Sequence, residues 1–179
     1  MKKICIATMI LLLLVGCSSA KTESKEFETS NKKAVSVIDK LDNFPVSLNT
    51  FVKDYNSNTS LQLKNPSEVD FQVFNENQGY SKTLIQESSG NVQYNLDAIF
   101  DNDKNFKRII YNATMPDKGD QDAISVLTAT LFSLGIDVGF LNDFIESGET
   151  DSEFNNNGYK VYFLFEKSIG FLNATVDKE

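Results

Sequence analysis

Clustered acidic residues are the groups in this chain whose types and spacing could perform chemistry. Asp101, Asp103 and Asn105 are spaced like the first ligands of a calcium-binding loop. Such a loop requires glycine at its sixth position and a bidentate glutamate at its twelfth, but Phe106 and Asn112 stand there. The pattern therefore favours a polar hairpin turn over a calcium site.

A second acidic group, Asp117-x-x-Asp120-x-Asp122, comes directly before an apolar pattern of helical period. It could hold a cation, but acids at a helix start also accept hydrogen bonds from the first turn and interact favourably with the helix dipole. We expect this second role. We also expect amide substitution of exposed acids to change the free energy of unfolding by less than about 1 kcal/mol. That expectation covers Asp101, Asp103, Asp120 and Asp122.

The composition removes most catalytic chemistries. The chain has no histidine, which is the usual general base and metal ligand at neutral pH. Two carboxylates are enough for glycoside hydrolysis, so a carboxylate-dependent hydrolase stays an alternative. However, the acids fall mainly in predicted turns, helix starts and the N-terminal segment, and tryptophan, a common platform for sugars, is absent. We expect a protein that is not an enzyme, with no catalytic residue, cofactor or metal site.

The negative net charge of the chain limits the kinds of partner that it can bind. The formal net charge is −8, and Arg108 is the only arginine. Phosphate backbones and anionic lipid head groups repel such a chain. We therefore expect no nucleic-acid partner.

The N-terminus has the pattern of an export signal. Met1-Lys2-Lys3 is cationic, and the twelve residues Ile4–Val15 are apolar apart from Thr8. As a helix this run spans about 18 Å, which is less than the ~30 Å hydrocarbon core of a bilayer. The run is therefore predicted to be a signal segment and not a permanent membrane span.

The run ends at Leu14-Val15-Gly16-Cys17, which resembles the lipobox of bacterial lipoproteins. The resemblance implies that residues 1–16 are removed as a signal peptide and that Cys17, lipidated on its thiol, becomes the first residue. It also implies an anchor on the outer face of the cytoplasmic membrane, or in the outer membrane if the host has one. Acyl chains contribute about 0.8 kcal/mol of membrane-binding free energy per buried CH₂, so two or more chains would anchor the protein stably in the membrane. With Cys5 removed and Cys17 lipidated, no free thiol or disulfide would remain.

The rest of the chain divides at a change in composition. Residues 17–33 are predicted to be a flexible tether, because only Ala20 and Phe27 are apolar between Ser18 and Lys33. Residues 34–179 are predicted to form a single domain of ordinary size.

Periodicity predicts the elements of that domain. Apolar residues have helical spacing over 34–41 and 44–55, and four strands are predicted by alternation over 69–73, 80–86, 92–100 and 106–114. A third helix follows Asp117–Asp122 and ends before Gly135, and a fourth covers 138–147 with Asp137 as its N-cap. Two strands, over 159–165 and 168–176, complete the chain. The predicted fold is α+β, an antiparallel sheet packed against helix pairs in the order αα-ββββ-αα-ββ.

The order of elements suggests an imperfect internal repeat. The matching blocks are Ala34–Ile38 with Ala123–Leu127, Leu48–Val52 with Leu141–Ile145, and Asn112–Thr114 with Asn173–Thr175. The repeat would place Phe51 and Phe144 at equivalent buried positions. A helix pair followed by a meander, used twice, is similar to the layout of secreted β-lactamase-inhibitor-type proteins. This resemblance concerns architecture and implies no function.

Two surface features stand out near the C-terminus. Asn155–Gly158 is predicted to be a hairpin or loop tip, because asparagine and glycine tolerate positive φ. In the strand that follows, Tyr162 is predicted to face away from the core with Lys160 and Leu164. Tyr162 is therefore a candidate for an exposed contact.

These observations predict a membrane-anchored extracytoplasmic lipoprotein that acts as a non-enzymatic binding or accessory module. Its partner would be a protein or another envelope component, met through an exposed sheet face or the acidic helix ends. Two alternatives stay open. One is the carboxylate-dependent hydrolase. The other is the precursor of a pheromone released from the signal peptide around Met9–Gly16, or a lipoprotein that excludes phage.

Overall fold

Antiparallel strands and the α-helices packed on one side of them account for most of the described structure. The computed structural model describes residues 36–75, 78–115 and 120–179, without the side chains of Asn142 and Ile145. The signal peptide, Cys17, the tether and Asp117 lie outside these residues. The predictions about them therefore stay predictions.

The described residues contain three α-helices and seven strands, which form one antiparallel sheet in the order β1-β2-β3-β4-β7-β6-β5. The helices are α1 (Leu48–Asn58), α2 (Gln121–Ser133) and α3 (Gly139–Ser147). The strands are β1 (Gln72–Val73), β2 (Tyr80–Ser89), β3 (Val92–Phe100), β4 (Phe106–Thr114), β5 (Asp151–Asn156), β6 (Tyr159–Glu166) and β7 (Phe171–Lys178). The predicted α+β class with an antiparallel sheet is confirmed.

The core lies between the helices and one face of the sheet. Alternate residues of β3, such as Leu96 and Ala98, are fully buried and join one apolar cluster with residues from every α-helix. Phe51 of α1 and Phe144 of α3 belong to this cluster with 1% and 5% of their surface exposed. Both were predicted to be buried.

The N-terminal helix pair is the first difference from the predicted order. In place of a helix over 34–41, the described part has a single 3₁₀ turn at Ile38–Lys40, after which Leu41 is extended. Such a short segment is a marginal helix in water. The Asp39 carboxylate instead accepts hydrogen bonds from the main-chain N–H and the side-chain amide of Asn102.

The second helix begins later than predicted. The main-chain N–H of Phe44 donates to the carbonyl of Phe106 at 2.8 Å, so this residue is tied to β4 and is not helical. The helix begins at Leu48 because Ser47 caps it, with its hydroxyl accepting from the N–H of Thr50 at 3.2 Å.

Two strand predictions are also corrected. The strand expected over 69–73 is reduced to the two residues of β1 at the sheet edge. The sequence analysis missed β5, which pairs with β6 along its whole length. The observed order has one α-helix before the first four strands, and two α-helices followed by three strands after them.

The sheet is symmetric in order about its β4–β7 pair, apart from the extra strand β1. In that pair Asn112 lies directly opposite Asn173. These are the first residues of the matching Asn-Ala-Thr blocks, so the pairing is compatible with a two-fold relation between the halves. The duplication itself stays a prediction.

Helix boundaries in the second half follow local capping. Gly135, with φ +67°, and Ile136 donate main-chain hydrogen bonds to the carbonyls of Phe132 and Leu131, which closes α2 in a Schellman motif. Val138 takes the N-cap position of α3, while the Asp137 carboxylate accepts from the N–H of Gly139 at 2.9 Å. None of the described helices combines the length and the apolarity that crossing a bilayer requires.

Candidate functional site

The face of the sheet opposite the helices carries the most concentrated set of polar side chains. We call it the helix-free face, because none of the three α-helices of the described residues packs on it. It consists of the outward-alternating residues of β2, β3, β4, β7, β6 and β5. Residues directly opposite on neighbouring strands share a face, so the strand pairing fixes which of them are neighbours.

Carboxamides form a continuous row across the middle of this face. The strand pairing places Gln86 opposite Asn95, Asn95 opposite Asn112, and Asn112 opposite Asn173. Neighbouring strands lie about 4.8 Å apart, which sets the spacing of the row. The Asn173 amide donates to Oδ1 of Asn112 at 2.8 Å, whereas Nδ2 of Asn112 has no partner within 36–75, 78–115 and 120–179. The row therefore presents unused donors and acceptors.

A shallow pocket of about 230 Å³ lies beside the row, between it and the next row of paired residues along the strands. Four carboxamides line it, from Gln86, Gln93, Asn95 and Asn112. Ser88, Thr114 and Phe171, which alternate onto the same face, belong to the rest of its lining. Among the described residues of the lining only Glu87 is charged, so the pocket suits a polar ligand without negative charge.

Asp97 lies in the next row of the helix-free face, between Thr83 of β2 and Ile110 of β4. Burial raises the pKa of its carboxyl above the usual value, although hydrogen bonds from Thr83 and Asn95 oppose that shift. The Thr83 hydroxyl donates to Asp97 at 2.6 Å, and the Asn95 amide donates to the other carboxylate oxygen. The sequence analysis did not single out Asp97. The sequence contained one indication of this residue, because aspartate is uncommon inside a strand.

The basic groups near the far end of this face are paired. Arg108 donates two hydrogen bonds to Asp177, each at 2.6 Å, in a bidentate ion pair. Lys160 pairs with Glu153 at 2.8 Å on exposed side chains. Such pairing leaves little net charge on this part of the face.

The Asp101 loop is a structural turn. Oδ1 of Asp101 accepts from the main-chain N–H groups of Asp103 and Asn105, at 2.9 and 2.8 Å. Its Oδ2 accepts from the Asn105 amide and pairs with Lys107 at 3.3 Å. Burial raises the pKa of Asp101, but the Asn105 hydrogen bonds and the Lys107 charge outweigh it and lower the net pKa. No three acidic, histidine or cysteine side chains of the described residues lie together as metal ligands.

Asp101 is also buried, with 5% of its surface exposed, as is Lys107 with 7%. The premise that Asp101 is exposed is therefore wrong, and we now expect its amide substitution to cost more than about 1 kcal/mol. The spacing of the acidic residues predicted an exposed turn residue, and no local pattern in the sequence indicates that Asp101 pairs with the buried Lys107.

The same loop is joined to the N-terminal turn of the domain. Hydrogen bonds from the main chain and side chain of Asn102 lower the pKa of Asp39 to about 2. The Lys107 ammonium also donates to the carbonyl of Leu41 at 2.9 Å. The loop therefore fastens the point at which the chain enters the domain.

At the start of α2, Asp120 is the N-cap and accepts from the N–H of Ala123 at 2.9 Å, while Asp122 is exposed in the first turn. Both have the predicted place at a helix start. A cavity of about 640 Å³ lies between the end of α1 and α2, and the exposed residue Phe132 is part of its lining. We place the candidate site on the sheet instead, because Asp120 in this groove is already used as a cap.

The predicted loop tip and the predicted exposed contact both lie in the hairpin formed by β5 and β6, at the edge of the sheet opposite β1. Asn157 and Gly158, with φ of +52° and +78°, form the turn between β5 and β6, whereas Asn155 and Asn156 belong to β5. The hairpin prediction holds for the last two residues only. Tyr162 is half-buried on the helix-free face, opposite Thr175 and Glu153.

Comparison with family models, with curated proteins and with solved structures finds no match for this chain.

Proposed function

We propose that this protein is a lipid-anchored extracytoplasmic lipoprotein whose domain is a non-enzymatic binding module. The helix-free face is its binding surface, and its partner is a protein or another component of the cell envelope. The anchor is the lipid on Cys17, and residues 17–33 hold the domain clear of the membrane surface.

One observation carries the proposal: the row of carboxamides across β2, β3, β4 and β7. A sheet face exposed only to water needs no particular arrangement of side chains. The helix-free face brings several amide groups together beside a pocket whose lining includes the aromatic residue Phe171. Convergent polar groups around a small apolar surface are typical of binding sites.

The anchor is tested by Cys17→Ser. Since serine has no thiol to acylate, the variant should not incorporate labelled fatty acid, and it should lose the membrane fraction of the wild type or keep its signal peptide uncleaved. Fatty-acid labelling followed by gel mobility measures both effects. Labelling equal to that of the wild type would show that the lipobox interpretation is wrong.

The binding surface is tested by Asn112→Arg, which places a long cation in the middle of the helix-free face. Co-sedimentation of the purified lipoprotein, in detergent micelles, with isolated cell envelopes should fall at least tenfold. Asn49→Arg is the matched control, because Asn49 is exposed on α1 at the opposite side of the sheet. Equal binding by both variants and the wild type would contradict the proposal.

Asp97 supports a second candidate, the carboxylate-dependent hydrolase, because a carboxyl with a raised pKa can act as a general acid. This candidate predicts turnover of an envelope glycan that Asp97→Asn eliminates while binding persists. The binding-module proposal predicts no turnover by the wild type.

A further inference from the structure

We propose that the pocket beside the carboxamide row binds one uncharged sugar ring of an N-acetylated, β-linked glycan. This inference rests on the proposed function and names the ligand class of the same face. The pocket is lined by groups that match such a ring: amides from Gln86, Gln93, Asn95 and Asn112, and the ring of Phe171.

The chemistry of the lining selects the ligand class. Each carboxamide offers two N–H donors and a carbonyl acceptor, so it can bind hydroxyl groups and can pair with an acetamido group. An aromatic ring beside them covers the apolar face of a pyranose. Glu87 disfavours phosphates and carboxylates, and none of the described residues that line the pocket is a lysine or arginine that would attract them.

The size of the pocket limits the ligand to one ring. Ligand pockets usually enclose about 300–1,000 Å³, and the volume here is about 230 Å³. The adjoining row continues from Asn112 on β4 to Asn173 on β7, one strand spacing further across the sheet. That spacing is comparable with the repeat of successive rings in an extended β-linked glycan, so a chain can lie across the strands with one ring in the pocket.

Several amides of the site are available for a ligand. Gln86 and Gln93 are exposed, and neither side chain has a hydrogen-bond partner in the part of the chain that the structure describes. The Asn95 amide is engaged with Asp97, which leaves its carbonyl oxygen as an acceptor. Binding therefore does not require breaking the hydrogen bonds that hold the sheet.

The test uses the N-acetylglucosamine tetramer, β-1,4-linked, as the probe for the mature lipoprotein in detergent micelles. Calorimetric titration should give a Kd on the order of 1 mM, as expected for a shallow site that holds one ring. Gln93→Leu should weaken binding at least fivefold, and Asn49→Leu, on the opposite side of the sheet, should not. No binding by the wild type, or equal binding by both variants, would overturn the proposal.

A parallel measurement separates this inference from the proposed function. The wild-type protein should still co-sediment with envelopes that have been treated with a protease. It should not co-sediment with envelopes that have been digested with a muramidase. If the protease abolishes binding and Asn112→Arg still does so with untreated envelopes, the face binds a protein. The glycan proposal then fails while the binding surface stands.

Discussion

Phe51→Ala should lower the free energy of unfolding by about 3–5 kcal/mol, because it removes a ring from the core and leaves a cavity. Phe51 is 1% exposed and its ring lies 6.2 Å from that of Tyr55. Domains have only about 5–15 kcal/mol of stability, so the melting temperature should fall by roughly 10 °C or more. Thermal unfolding of the full-length protein, followed by circular dichroism, measures this.

Phe144→Ala should cost a similar amount, because Phe144 is 5% exposed and packs 5.7 Å from the ring of Phe163. Phe132→Ala is the matched control. It removes the same ring from a helix, but 60% of Phe132 is exposed, so the change should stay within about 0.5 kcal/mol. Equal losses at Phe51 and Phe132 would contradict the packing described above.

Asp101→Asn should destabilise the protein by about 3 kcal/mol, the lower end of the range for breaking a buried ion pair. The substitution removes the carboxylate that pairs with the Lys107 ammonium. The asparagine amide would offer the ammonium either an N–H₂ donor, which repels it, or an uncharged oxygen, which is a weaker acceptor. Denaturant unfolding at neutral pH measures the loss.

The comparison variant is Asp103→Asn. Asp103 is exposed in the same loop, and only its main-chain N–H contacts Asp101, so its substitution should change stability by less than about 0.5 kcal/mol. The pH dependence adds a second check. Because folding lowers the pKa of Asp101, its contribution is complete above the unfolded pKa of about 3.9 and decreases as the pH falls below it. The cost of Asp101→Asn should therefore shrink in acid.

The strands that the sequence predicted best are those with one buried and one polar face. In β3, apolar and polar residues alternate from Val92 to Ala98, and in β4 buried and partly exposed residues alternate along the whole strand. Both strands have the predicted bounds. β5 could not be found in this way, because Phe154 is its only apolar residue. It is held as a strand by pairing with β6 and by the packing of Phe154 against Phe140 at 4.1 Å. These are tertiary causes that no local pattern records.

The candidate site was predictable only in outline. Alternation indicated that Asn95, Asp97 and Tyr162 face away from the core. It could not show that Asn95, Asn112 and Asn173 stand in one row, because that depends on the register of strands up to 61 residues apart. The burial of Asp101 likewise depends on Lys107 and on contacts of the 3₁₀ turn, which sequence spacing does not specify.

The most direct test of the account is to place a photo-activated cross-linking amino acid on each side of the sheet in the lipid-anchored protein in living cells. At Gln93 it should give an adduct with an envelope component, because Gln93 is exposed at the pocket of the helix-free face. At Asn49, on the helical side, it should give none. Adducts from Asn49 with none from Gln93 would contradict the claim that the helix-free face is the binding surface.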